Sequence, residues 1–492
     1  MRKGLVIAAA AIVAIILFAS FLIADNNHFL TQSSSKATSA LPSAPVYVGV
    51  TYCGNNVIEA KLLIDKVESY TNLFVIQSGS LQKNFSELNE ICNYAVEKRL
   101  HVIVYFGSVE YNRENITNFL RNEKLGSNLL GIYYDDEPGG KTLDSSNLNL
   151  LDSITGNIVS KVSGVTTVIK PDGSRTNYEQ NSSISMQTLE NTSIYYNPDR
   201  TVQVTINTAL SNEINYLIET NGTVYILDNN GKAISQLNDT TMLPKIEPYE
   251  QVIAERPFQT YDEVANSLVD TCQNTTGWLR SQTSAKIFTS DYALYWYDYL
   301  GGYDVVFAQI GWNHTETQDI ALARGAANLQ GKDWGAIITW KYDHQPYLEN
   351  GLEMYDQMRL VYEAGAKYIV VFNYPTYPLN NQFGILQDDH FLALQKFWND
   401  TVQNKTVING GIKAEAVLVL PKNYGWGMRS LQDNIWGIWQ PDATSPQVWA
   451  ALQACLLKYG SKLDIVYDDS AYQVAGRYQQ VYYWNQTLNF SN

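Results

Sequence analysis

Eight short apolar runs recur along this chain, and helical stretches separate most of them. The runs lie at 46–52 (VYVGVTY), 72–77 (NLFVIQ), 101–106 (HVIVYF), 129–134 (LLGIYY), 286–291 (KIFTSD), 303–310 (YDVVFAQI), 334–340 (WGAIITW) and 367–373 (KYIVVFN). Apolar residues at helical spacing mark helices near 56–69, 86–99, 113–121, 261–283, 320–329, 352–363 and 390–402. Ser86 with Glu90 nearby resembles an N-terminal cap for the second of these. Short strands alternating with helices imply a parallel sheet with right-handed crossovers. Eight such units predict a (β/α)8 barrel, an α/β fold.

Two stretches leave this rhythm. Residues 162–239 lose helical periodicity and carry short alternating runs such as 201–206 (TVQVTI) and 223–227 (TVYIL). Pro171-Asp172-Gly173, Asn221-Gly222 and Asn230-Gly231 separate them as turns. An antiparallel β insertion at 162–245 is expected, following the fourth strand and sitting over the mouth of the barrel. The barrel then spans 46–404. Residues 405–492 open a new βα pattern with strands near 414–420 and 463–467, which predicts a small flavodoxin-like α/β domain. It carries no Gly-x-Ser-x-Gly or Gly-x-Cys-x-Gly elbow. Residues 423–439, rich in Gly and Trp, are expected to wrap back onto the barrel.

The N-terminus is basic at Arg2 and Lys3 and almost wholly apolar from 4 to 23, about the length that spans a bilayer. A signal anchor at 1–25 with the bulk of the chain outside the cell membrane is the favoured reading; a cleaved signal, giving a secreted chain, is the alternative. Residues 26–45, rich in Ser, Thr, Ala and Asn, read as a flexible stalk. Asn-x-Ser/Thr sequons at Asn84, Asn115, Asn181, Asn221, Asn313 and Asn485 agree with an exported glycoprotein. The net charge of −15, with no basic tract beyond the N-terminus, argues against a nucleic-acid partner. Cys53, Cys92, Cys272 and Cys455 lie far apart, so no metal-ligand spacing exists. Cys53 and Cys92 form a candidate disulfide, with buried free thiols as the alternative.

Chemistry in parallel barrels sits at the C-terminal ends of strands. The fourth run ends abruptly in Asp135, Asp136 and Glu137, then Pro138-Gly139-Gly140. Other strand ends offer Tyr52, Gln77, Asp291, Tyr292, Gln309, Trp312, Trp340, Tyr342, Asp343, Asn373 and Tyr374. Acids, amides and rings, with no metal set and no phosphate cradle, suit a hydroxyl-rich ligand such as a sugar, and no cofactor is expected. Adjacent acids on an extended chain point to opposite sides. Asp136 and Glu137 therefore share one site only if the strand has ended. Crowding of carboxylates raises one pKa and favours a proton-holding acid.

Asp136-Glu137-Pro138 after the fourth strand resembles the (β/α)8 glycoside hydrolases, above all the retaining hexosaminidases that use substrate assistance. The order of a barrel followed by a small α/β domain resembles a β-galactosidase arrangement. The resemblance implies Glu137 as general acid/base and Asp136 as the residue that orients a 2-acetamido group, itself the nucleophile. It also implies a tyrosine on the acetamido oxygen, for which Tyr292, Tyr295 and Tyr342 are candidates by position. Barrel glycosidases with an enzyme nucleophile usually carry Glu at the end of the seventh strand. Here the chain reads Thr339-Trp340-Lys341-Tyr342-Asp343. Asp291 or Asp343 then serves as nucleophile, or the substrate does, or the barrel is inactive. The expected function is a membrane-anchored extracellular glycoside hydrolase. A non-catalytic glycan-binding surface protein is the alternative.

Overall fold

A computed structural model of the chain describes residues 45–107, 109–121, 125–144, 147–151, 156–162, 165–178, 184–188, 191–208, 213–254, 260–312, 314–342, 344–375, 381–488 and 490. The expected anchor at 1–25 and all but the last residue of the stalk lie outside the described residues. Among the described residues, no helix is long and apolar enough to cross a membrane.

Eight parallel strands close into a barrel. They are β1 (Tyr47–Tyr52), β2 (Leu73–Ile76), β3 (His101–Phe106) and β4 (Leu129–Tyr134), and after an inserted sheet running from β5 (Asn147–Leu151) to β14 (Ala233–Leu237) they resume. The second half is β15 (Lys286–Asp291), β16 (Val305–Ile310), β17 (Asp333–Ile338) and β18 (Tyr368–Val371). β15 pairs with β4, and β18 pairs back onto β1 with Tyr47 opposite Tyr368. The alternation of apolar runs and helices thus forms the TIM-barrel architecture it predicts.

Helix starts follow local capping chemistry. Asn56 accepts the N–H of Ile58 at 2.8 Å and starts helix Val57–Val67. Thr260 and Glu263 form a reciprocal capping box on helix Tyr261–Gln282. The second helix, Phe85–Glu97, is capped by Asn84, not by Ser86. Asn84 is as good an Ncap and lies one residue ahead of the first helical turn. A short helix, Tyr295–Leu300, links β15 to β16. Its sequence, YWYDYL, shows no amphipathic period because five of its six residues are buried.

Successive strand residues alternate between the barrel interior and the surrounding helices. Tyr47, Val75, Ile103, Tyr133, Phe288, Phe307, Ile337 and Tyr368 belong to the interior cluster. The rings pack closely: Tyr47 stacks on Tyr368 with centroids 5.1 Å apart, and Phe288 meets Tyr368 edge-on at 5.1 Å. Glycine makes room for them. A Cβ at Gly131 would stand 2.4 Å from the Phe288 ring.

The inserted sheet has ten antiparallel strands in chain order, each paired with its sequence neighbours. Gly173, Gly222 and Gly231, predicted as turns, all have positive φ. The sheet begins at Asn147, upstream of the expected 162, because its first strand reads NLNLL and lacks β-branched residues. β5 lies alongside helix Tyr261–Gln282.

The C-terminal region contributes a three-stranded parallel sheet in the order β20-β19-β21: β19 (Ala416–Leu420), β20 (Leu463–Tyr467) and β21 (Gln480–Tyr483). It is joined to the barrel by barrel helix Glu316–Gln330, which packs directly on β20. A Cβ at Gly325 of that helix would stand 2.7 Å from the Ile465 carbonyl oxygen. Arg324, 3% exposed, pairs with Asp464 at 2.7 Å. One buried apolar cluster runs through the barrel's helical layer and this sheet. Residues 423–439 do reach back: Arg429 Nη2 donates to Asp144 at 2.8 Å, and the Trp436 ring lies 4.7 Å from that of Tyr297. All four cysteines are free thiols, so of the two readings of Cys53 and Cys92 the structure has the free thiols and not the bridge. Cys92 faces the core from its helix and Cys53 lies at the top of the barrel.

Candidate active site

β4 ends at Tyr134, and the chain then breaks out of the extended conformation. Asp135 and Glu137 both take left-handed backbone angles, with φ of 54° and 62°. Such angles carry strain in non-glycine residues and cluster at functional sites. The turn is held by Glu137 N–H donating to the Ser290 carbonyl at 2.8 Å and Lys141 N–H donating to the Glu137 carbonyl at 2.8 Å. Lys141 Nζ also donates to the Asp136 carbonyl. The break removes the extended-chain alternation, so consecutive carboxylates, Asp136 and Glu137, line one cavity of about 490 Å³.

The cavity floor is one residue layer above the aromatic interior. Gln77, Tyr105, Ser290, Gln309, Thr339 and Phe372 line it. Each lies two residues beyond an interior residue on its strand, so the period-two register carries it inward. Trp312, Trp340 and Tyr374 come from the loops above. Trp340 is central to this wall, with ring centroids 5.7 Å from Trp312, 5.5 Å from Phe372 and 5.8 Å from Tyr374. Trp312 is 38% and Tyr374 46% exposed, so the wall presents apolar ring area to solvent.

Donors converge on the two acids. Trp312 Nε1 donates to Gln309 Oε1 at 3.3 Å, and Gln309 Nε2 donates to Glu137 Oε1 at 2.7 Å. Gln309 Nε2 also reaches Ser290 Oγ at 3.2 Å, and Ser290 donates to Asp136 Oδ1 at 2.7 Å. Tyr133 donates to the same Oδ1, and Gln77 Nε2 donates to the Tyr133 hydroxyl at 3.4 Å. Gln77 Oε1 is buried and meets no donor. Burial, then the Asp136 charge, raises the Glu137 carboxyl above its ordinary value, against the opposing hydrogen bond from Gln309. Burial also raises Asp135, whose Oδ1 accepts the N–H of Asp136 at 2.8 Å and which does not line the cavity.

The remaining sequence candidates fall elsewhere. Asp291 is fully buried beneath the turn, where its carboxylate accepts N–H groups from Gly139 at 2.6 Å, Gly140 at 2.8 Å and Tyr292 at 2.8 Å. It braces the acid turn and does not line the cavity. Asp343 lies outside the described residues. Tyr52 is buried, and its hydroxyl donates to the Asn56 carbonyl at 2.6 Å. Asn373 Oδ1 accepts the Ile385 N–H at 3.1 Å, holding the loop after β18. Tyr292 donates to Asp144 at 2.9 Å and lies flat over Gly140. Tyr295 is buried, and Tyr342 donates to Glu349 at 3.4 Å. The tyrosine that the barrel does bring to the cavity beside Asp136 is Tyr105. No described residue of the antiparallel sheet lines the cavity.

The signal that finds Tyr105, Ser290, Thr339 and Phe372 is strand parity. Reading only the last residue of each run passes over them. Among the described residues, no group of three or more His, Cys, Asp or Glu side chains could hold a metal ion. No protein-family model and no curated protein matches this chain.

Proposed function

We propose that this chain is a glycoside hydrolase that cleaves 2-acetamido sugars with substrate assistance, with Glu137 as general acid/base. One observation carries the reading: Asp136 and Glu137, adjacent on one turn, are the only carboxylates among the described residues that line the cavity. A two-carboxylate enzyme needs a second acid across the scissile bond, whereas an acetamido nucleophile needs only an orienting carboxylate beside the proton donor. In this mechanism protonated Glu137 gives its proton to the leaving glycosidic oxygen. The acetamido oxygen attacks the anomeric carbon as that bond breaks, while Asp136 accepts the acetamido N–H. Glu137, now ionised, then takes a proton from the water that opens the ring intermediate, and the sugar leaves with its acetamido group restored. In this reading Gln77 Oε1 would receive a sugar hydroxyl and the Trp340 wall a sugar face. The proposal includes an extracellular location with an N-terminal membrane anchor.

The test is a screen of chromogenic glycosides with and without a 2-acetamido group, using wild-type protein and Glu137→Gln. The expected result is turnover of 2-acetamido substrates alone, reduced roughly 10²- to 10⁴-fold in the variant. Wild-type activity in Glu137→Gln would remove that residue from the chemistry. Sugar binding with no turnover by either protein would favour a non-catalytic glycan-binding barrel, which a lone acid pair also fits.

A further inference from the structure

At the opposite end of the barrel from the acid turn lies a second cavity, of about 550 Å³. It is bounded by helix Glu316–Gln330, by the starts of β17 and β18, and by β20 and the segments leading into β19 and β21. Its charge is opposite to that of the chain as a whole. Arg324, Lys332, Lys367, Lys413 and Arg477 line it, against Asp333 and Asp464 alone among acids, in a protein of net charge −15. Three of the cations are paired: Arg324 with Asp464 at 2.7 Å, Lys367 with Asp333 at 2.9 Å, and Lys332 with Asp304 at 3.3 Å. Arg477 donates to a main-chain carbonyl, that of Asn328, at 3.2 Å, and among the described residues neither it nor Lys413 has an acidic partner.

The most buried of these cations is Arg324. Arg324 is 3% exposed, and its Nε and Nη2 are satisfied by Asp464 and by the Ser461 and Leu463 carbonyls at 2.7–2.8 Å. Its Nη1 is buried with no acceptor. Trp334 supplies an aromatic ring to the same wall.

We infer that this cavity binds a compact polyanion bearing phosphate groups. Arg324 and Lys367 sit among the walls, and Lys413 and Arg477 supply charge that no acid among the described residues pairs with. The cavity volume is within the range of small-molecule sites. This site shares no lining residue with the acid cavity, so the inference is independent of the hydrolase reading.

The experiment is isothermal titration of the full chain in non-ionic detergent with inorganic pyrophosphate, with sodium chloride at matched ionic strength as the control. Lys413→Glu/Arg477→Glu removes the two unpaired cations from exposed positions without touching the core. Saturable binding of about one pyrophosphate per chain is expected, weakened roughly tenfold or more in the double variant, since each reversed charge acts at close range. Glu137→Gln should bind as the wild type does. Heat that follows ionic strength alone would overturn the inference. So would saturable binding that the double variant retains, because the anion would then lie elsewhere. Quenching of tryptophan fluorescence on titration supplies a second readout, since Trp334 lines the cavity.

Discussion

In the proposed mechanism Glu137 is the residue on which the chemistry turns, and Gln309 is its hydrogen-bond donor. The Nε2 group at 2.7 Å favours the ionised carboxylate, while burial and Asp136 favour the protonated one. Burial is the larger influence, so the acid holds its proton above the usual carboxylate range. Gln309→Leu removes the donor that stabilises the charge. The alkaline limb of kcat/KM should then move to higher pH, measured on a 2-acetamido substrate. A shift to lower pH would mean that Gln309 acts on substrate and not on Glu137. The placement of Asp136-Glu137 at the mouth of the barrel was legible in the sequence because the acids close an apolar run that reads as a parallel strand. Which residues surround them was legible only in part. Gln77, Gln309, Trp312, Trp340 and Tyr374 were found as strand-end residues and do line the cavity. Tyr52 and Asn373 also end strands, yet their polar atoms are taken up by Asn56 and Ile385. Such local hydrogen bonds leave no trace in residue spacing.

At the scale of elements, the acid turn depends on β15 next to it. Asp291, at the end of β15, gathers the N–H groups that begin helix Pro138–Asp144. Asp298, on helix Tyr295–Leu300, is fully buried beside it and meets no N–H or hydroxyl donor. Burial, then the neighbouring Asp291 charge, pushes Asp298 well above the ordinary value, and burial lifts Asp291 to about 7. The pair therefore keeps a proton that the unfolded chain, with carboxylates near about 4, gives up. The pair's contribution to stability is full below that unfolded value and falls as pH rises towards about 7. Each retained proton corresponds to about 1.4 kcal/mol per pH unit. Urea unfolding at about pH 5 and about pH 8 should show that loss, and Asp298→Asn should flatten it. An unchanged slope in the variant would separate Asp298 from the proton. Barrel strands were readable because buried parallel strands are continuous apolar runs. Helix Tyr295–Leu300 was not, since an element buried on all sides has no polar face to set a period.

Across the whole molecule, the C-terminal sheet is less separate than its sequence suggests. A new βα pattern after 404 reads as an independent domain, but β20 packs on a helix of the barrel and Arg324 crosses the seam. Removing one partner of a buried ion pair strands the other. Arg324→Ala should lower unfolding stability by about 3–5 kcal/mol. Because the core is continuous, barrel and sheet should lose structure in a single transition, followed by tryptophan fluorescence and circular dichroism together. Two resolved transitions in the wild type would show that the seam is weaker than its packing. The same scale gives the ten-stranded sheet a consequence in time. Every pairing within it joins neighbours in the chain, whereas the barrel is complete only when Tyr47 meets Tyr368. Local pairings form early and distant ones late. The insertion can therefore fold as a run of hairpins while the barrel is still open. In doing so it replaces a long flexible connection between β4 and β15 with a folded one, whose length no longer adds to the entropy of closing β18 against β1.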